Sequence, residues 1–173
     1  SSPTHALATD GQDLFMATRR TSTSANFYAL SPLAAGAPVL LGTNTGVWYV
    51  TGLAADSQYF YVASNGSQGE GVYRLSRSAV ADPPVKLASI NTDTLSSNIE
   101  VDDFATAGHV YVRDDAGDVH AIIAPATGSS AHIGAISTLG TGSDYAMTYD
   151  KAEQAIYLFE TENLSTGRIV VLK

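Results

Sequence analysis

Four segments of the chain repeat one arrangement, and this repetition limits the fold more than any other feature. "HALATDGQDLFMATR" (5–19), "VTGLAADSQYFYVAS" (50–64), "VDDFATAGHVYVRDD" (101–115) and "YAMTYDKAEQAIYLFE" (145–160) each join an apolar lead-in to a second, alternating run through a short polar turn. The central aromatics Phe15, Tyr61, Tyr111 and Tyr157 recur at intervals of 46, 50 and 46 residues. After each comes another strand-like piece, "NFYALSP" (26–32), "GVYRLSR" (71–77), "DVHAIIAP" (118–125) or "GRIVVLK" (167–173), reached through turn-rich residues of hairpin type. A third piece, "PVLLGT" (38–43), "PVKLAS" (84–89) or "AHIGAIST" (131–138), closes the first three units. A complete unit thus holds four short strands in about 46 residues.

Four antiparallel strands at that period are the pattern of a β-propeller blade, a small sheet that packs face to face on the next around a central channel. The expected fold is therefore all-β, a single propeller domain or part-domain of about four blades, with units near 5–46, 47–95, 96–142 and 143–173. Alternation agrees: Phe60 and Val62 point one way, Tyr59, Tyr61 and Ala63 the other, and both sets are largely apolar, as a sheet covered on both faces requires. Charged residues make up only 15% of the chain while small and turn-forming residues are plentiful, which suits short strands better than solvated helices. A β-sandwich also places strands every 8 to 12 residues or so, but the fixed order of pieces favours the propeller. Only "SAVAD" and "DKAEQA" look helical, and both are short enough to be connections.

The fourth unit departs from the pattern. Its third strand, "RIVVLK", runs to Lys173 with no outer strand after it, and only "SSPT" precedes the first strand of unit one. An uncovered apolar edge is avoided in folded proteins. The expectation is the C-terminal part of a ring of about six to eight blades, completed by a companion chain, a second copy or a segment lost to cleavage; a closed four-bladed ring is the alternative.

These residues resemble divergent secreted bacterial β-propeller repeat proteins, with an L-A-x-D-x-x-x-aromatic-Tyr-Val stretch followed by Gly-Val-Tyr-x-Leu. The Trp-Asp pair of WD repeats and the Gly-Gly doublet of kelch repeats are absent, and the single Trp48 does not make a tryptophan-docked quinoprotein pattern. The resemblance implies a propeller fold and a secreted, periplasmic or cell-surface location, without implying an activity.

A net charge of -8 argues against nucleic acid and anionic membrane as partners, since those rely on Lys and Arg to neutralise phosphates. No apolar run approaches the roughly 20 residues that span a bilayer as a helix. The chain has no Cys, which excludes disulfides and thiolate metal sites.

Candidate functional residues fall in two groups. The loops from one unit to the next, "GTNTGVWY", "SINTDTLSSN" and "STLGTGSDY", offer Asn44, Trp48, Tyr49, Asn91, Asp93, Asn98, Asp144 and Tyr145. Aromatic faces among short hydrogen-bonding side chains suit a protein, peptide or glycan, although Trp48 and Tyr49 also read as the start of a buried strand. The run "DDAGD" places Asp114, Asp115 and Asp118 within five residues. These are oxygen ligands of the kind calcium takes, and also the residues of a tight hairpin turn. "EVDDF" sends Glu100 and Asp102 to one face and Asp103 to the other. The histidines at 5, 109, 120 and 132 lack a metal-type spacing, and a simple hairpin register sets His120 opposite Arg113. Asn65 and Asn163 head N-x-S sequons, which a Ser-rich chain yields by chance. No G-x-S-x-G elbow, phosphate-binding glycine loop or H-E-x-x-H is present. The reading favoured on this basis is a non-catalytic binding or scaffolding propeller; the alternative is a propeller enzyme, a lyase or glycosidase, with carboxylates facing the channel.

Overall fold

Among the described residues the alternating runs form strands, as their period-2 pattern requires. The computed structural model describes residues 5–30, 37–91, 99–101, 108–114, 118–123, 131–138, 145–150, 152–163 and 166–172. The first sheet comprises β1 (His5–Thr9), β2 (Leu14–Thr21), β3 (Ser24–Leu30) and β4 (Val39–Asn44). The second holds β5 (Val47–Ala55), β6 (Tyr59–Gly66), β7 (Gly69–Ser76) and β8 (Val85–Ala88). The third holds β9 (Ile99–Val101), β10 (His109–Arg113), β11 (Asp118–Ile123) and β12 (Ala131–Thr138), and the fourth β13 (Tyr145–Asp150), β14 (Ala155–Asn163) and β15 (Thr166–Leu172). Within each sheet the strands pair antiparallel in chain order. No helix occurs among the described residues: "SAVAD" lies in the connection between β7 and β8, and 152–154 of "DKAEQA" form a turn.

The turn after the leading strand uses the same device in three sheets. Asp10 Oδ1 accepts hydrogen bonds from the amides of Gln12 (2.9 Å) and Asp13 (2.8 Å). Asp56 does so for Gln58 and Tyr59, both at 2.7 Å, and Asp150 for Ala152 (2.8 Å) and Glu153 (3.1 Å). A carboxylate that satisfies two amides of its own turn fixes the reversal of the chain, which is why Asp recurs at that point of the unit.

Packing explains the double apolar alternation. Phe60, Val62, Leu53, Ala55, Tyr73 and Leu75 form one core with Phe15, Ala17 and Phe27 of the first sheet. Ala54, Tyr61, Val72 and Leu87 face the other way, against Val110, Val112 and Ile122 of the third sheet. The second sheet is thus buried on both faces, with Phe60 set edge-on to Phe15 (5.2 Å) and stacked on Phe27 (5.4 Å). A third core joins Val119 and Tyr111 to Met147, Ile156, Leu158 and Val170. The leading strands β1, β5, β9 and β13 lie next to one another in that order, while β8 and β12 meet farther out. Within the second sheet β8 crosses close over β7: a Cβ on Gly71 would come within 2.1 Å of the Ala88 carbonyl oxygen, so only glycine fits there.

Candidate functional site

Carboxylates at the ends of the leading strands are the first place to seek catalytic groups, and the turns have already engaged them. Besides its two amides, Asp56 accepts the Tyr61 hydroxyl at 2.7 Å on Oδ2. Burial pushes the Tyr61 phenol well above its ordinary range, and the Asp56 carboxylate adds to the shift. Asp10 Oδ2 accepts Arg77 Nη1 at 2.6 Å. Burial alone would raise the Asp10 carboxyl, but the Asp13 and Gln12 amides together with Arg77 hold it below the usual carboxylate range.

At the opposite end of the sheets run the connections that carry the candidate binding residues. Asn44 is buried and acts as an internal tie: its amide donates to the carbonyls of Val80 (2.7 Å) and Asp82 (2.9 Å), and its oxygen accepts from Gly46 N (2.7 Å). Trp48 and Tyr49 are half-buried on β5, with Trp48 at a bulge between the pairs Val47–Gly66 and Tyr49–Asn65. A bulge turns a side chain away from strict alternation. The Arg19 guanidinium lies 5.6 Å from the Tyr49 ring. Asn91 is exposed beyond β8, and Tyr145 opens β13 opposite Glu160. Asp93, Asn98 and Asp144 lie outside the described residues, as do Asp102 and Asp103.

Asp114 and Asp118 close the β10–β11 hairpin. Asp114 Oδ1 accepts the Asp118 amide at 2.8 Å, and its Oδ2 lies 3.0 Å from His120 Nε2. Asp115, the third member of the sequence-based calcium set, lies outside the described residues. Among the described residues no three His, Asp or Glu side chains converge as metal ligands. His120 pairs with Val112, one residue from the simple register, because Asp114 N bonds to Asp118 O and sets the closure of the hairpin.

A groove of about 550 Å³ opens between the first two sheets, at the end bearing the β1–β2 and β5–β6 turns. Asp13, Phe15, Ala29 and Leu41 line one side; Ser57, Gln58, Tyr59, Ser76, Arg77 and Ser78 line the other. Arg77 organises it. The guanidinium sits 4.2 Å from the centre of the Phe15 ring, donates to Asp10 and to the Asp56 carbonyl, and holds Nη2 3.9 Å from the Asp13 carboxylate. The groove is thus a polar cleft in which the Arg77 guanidinium lies over the buried Phe15 ring. Sequence reasoning missed it. Arg77 and the Asp10 that it binds lie 67 residues apart, and the only sequence signal is a cation just beyond a strand end.

No family model matches the chain, and no curated protein does. Among solved structures, the chain is similar to the periplasmic gluconolactonase PpgL of Pseudomonas aeruginosa, with a TM-score of 0.57 and 16% identity over 97% of this chain. It spans 56% of that protein's length. This comparison corrects the expectation of a non-catalytic binding module, because the protein whose fold is similar is an enzyme. The physical reason is general: sites on stacked sheets are assembled from separate connections, so the lack of a contiguous catalytic motif was no evidence against catalysis.

Proposed function

We propose that this chain is part of a β-propeller enzyme, exported from a bacterial cell, that acts on a carbohydrate-derived substrate; hydrolysis of a sugar lactone is the reaction we favour. The observation that carries the reading is the structural likeness to a periplasmic gluconolactonase along 97% of the chain. The ring form is supported by the succession of leading strands β1, β5, β9 and β13 and by a second sheet covered on both faces. The matched structure is longer than this chain, which supports further blades supplied by additional polypeptide, a companion chain or a second copy.

Lactone hydrolysis needs a group to take a proton from the attacking water and donors to hold the oxyanion formed at the ring carbonyl; the ring C–O bond then breaks to give a hydroxy acid. We assign the reaction to the end carrying the unit-to-unit connections, where Trp48 at its bulge and Tyr49 offer a stacking face and Asn91 lies exposed beyond β8. The test is acid release from D-glucono-δ-lactone in a pH-stat, with and without added Ca²⁺, using the protein in its native assembly. A rate above spontaneous hydrolysis is expected, with kcat/KM falling about tenfold or more in Trp48→Ala as stacking is lost. No rate above background under either condition sinks the reading.

A further inference from the structure

We propose that the groove between the first two sheets is a binding site for a neutral, polyhydroxylated sugar ring, and that it rejects the acid form of the same sugar. The site lies at the opposite end from the proposed lactone chemistry and does not depend on it. Three observations lead there. First, about 550 Å³ falls in the range of ligand clefts and accommodates one or two pyranose rings. Second, the polar lining consists mainly of residues with short neutral side chains: Ser57, Ser76 and Ser78 with their hydroxyls and Gln58 with its amide. Hydroxyls and an amide both donate and accept, which matches a ligand whose every substituent does the same. Ser76 Oγ and Ser78 Oγ, 3.0 Å apart, form a ready pair for neighbouring ring hydroxyls.

Third, the charge is set against anions despite the arginine. The Arg77 guanidinium is bound to the Asp10 carboxylate at 2.6 Å and to the Asp56 carbonyl, and it covers the Phe15 ring. Beside it stands Asp13, with a side chain 57% exposed. One cation against two carboxylates leaves the groove net negative, with the exposed charge being the negative one. A sugar hydroxyl donates well to such a carboxylate, whereas a sugar carboxylate is repelled by it.

Methyl β-D-glucopyranoside and D-glucuronate share a ring and differ mainly in the charged group, so they are the probes. In a ¹H–¹⁵N NMR titration of the full chain, the glucoside is expected to shift the amides of 57–59 and 76–78 saturably, with Kd of about 1 mM, an ordinary affinity for so small a ligand. Glucuronate should produce no shift there. Gln58→Ala and Ser78→Ala, both in turns, should weaken the glucoside at least about fivefold while the other amides stay in place. Asp13→Asn keeps the backbone amide that bonds to Asp10 and should admit glucuronate. Absence of saturable shifts with the glucoside, equal binding of the two probes, or indifference to Gln58→Ala and Ser78→Ala would overturn the assignment. Lactone hydrolysis, measured in parallel on the two turn variants, should be unchanged, so that failure of this site is told apart from failure of the enzymatic reading.

Discussion

Arg77 is where three segments distant in sequence meet, and its environment dictates what its loss must do. It follows β7, lies on Phe15 of β2, and bonds to the aspartates that end β1 and β5, through a carboxylate in one case and a carbonyl in the other. Arg77→Met keeps the aliphatic stem but removes the ion pair, the cation–π contact and the bond to the Asp56 carbonyl. A loss of about 2 kcal/mol is expected, read as a lower urea midpoint. The pH dependence follows from Asp10, whose folded-state pKa is lowered. Its stabilising effect is therefore present above the ordinary carboxylate range, near pH 4 or so, and is lost as pH falls through the lower folded value. In Arg77→Met the two turn amides remain but the guanidinium does not. Its stability should fall less steeply on acidification than that of the parent chain, as urea midpoints between about pH 2.5 and 6 would show.

The leading-strand turn recurs with unequal support, which gives a graded prediction. Asp56 holds two amides and the hydroxyl of the buried Tyr61, whereas Asp150 holds two amides in an exposed turn. Asp56→Ala leaves a buried hydroxyl without its acceptor and should cost about 2–3 kcal/mol, against about 1 kcal/mol for Asp150→Ala, measured by thermal or urea unfolding. Equal losses would mean that Tyr61 finds another acceptor. At this scale much was legible beforehand. The period-2 pattern of 59–63 revealed that both faces of the second sheet are buried, because a strand flanked by two sheets must be apolar on both sides. The Asp of the β5–β6 turn, part of the L-A-x-D stretch, was visible as well. What escaped was whatever tertiary contact decides: the bulge at Trp48, the hairpin closure that moves His120 by one residue, and the burial of Asn44 between its own connection and the carbonyls of Val80 and Asp82. The groove around Arg77 was invisible for the same reason, as its walls are drawn from both sheets.

Across the whole molecule the sheets advance in one direction, and the central aromatics mark it. Phe15 packs toward the second sheet, Tyr61 toward the third and Tyr111 toward the fourth. Tyr157 holds the same place in the fourth sheet, opposite Val171, and beside it Phe159 lies opposite Ile169. Leu158 and Ile156, the alternate residues of that strand, face the third sheet, so this second set points the other way. On that outer face Phe159, Ile169 and Val171 are 46%, 66% and 43% exposed, while Leu7 and Leu40 are exposed on the first sheet. A contiguous apolar face in the position that every preceding sheet uses to cover its neighbour is what a further sheet would bury. In the 173-residue chain studied alone, this face should bind a hydrophobic dye and drive concentration-dependent association, seen by sedimentation. Ile169→Lys combined with Phe159→Ser should abolish both without unfolding the sheet, because neither side chain belongs to the core shared with the third sheet. In the native assembly a cysteine placed at 169, the only thiol in an otherwise cysteine-free chain, should resist maleimide. Rapid labelling there, together with a parent chain that neither binds dye nor associates, would show that nothing packs on the face and that the sheets do not continue into a larger ring.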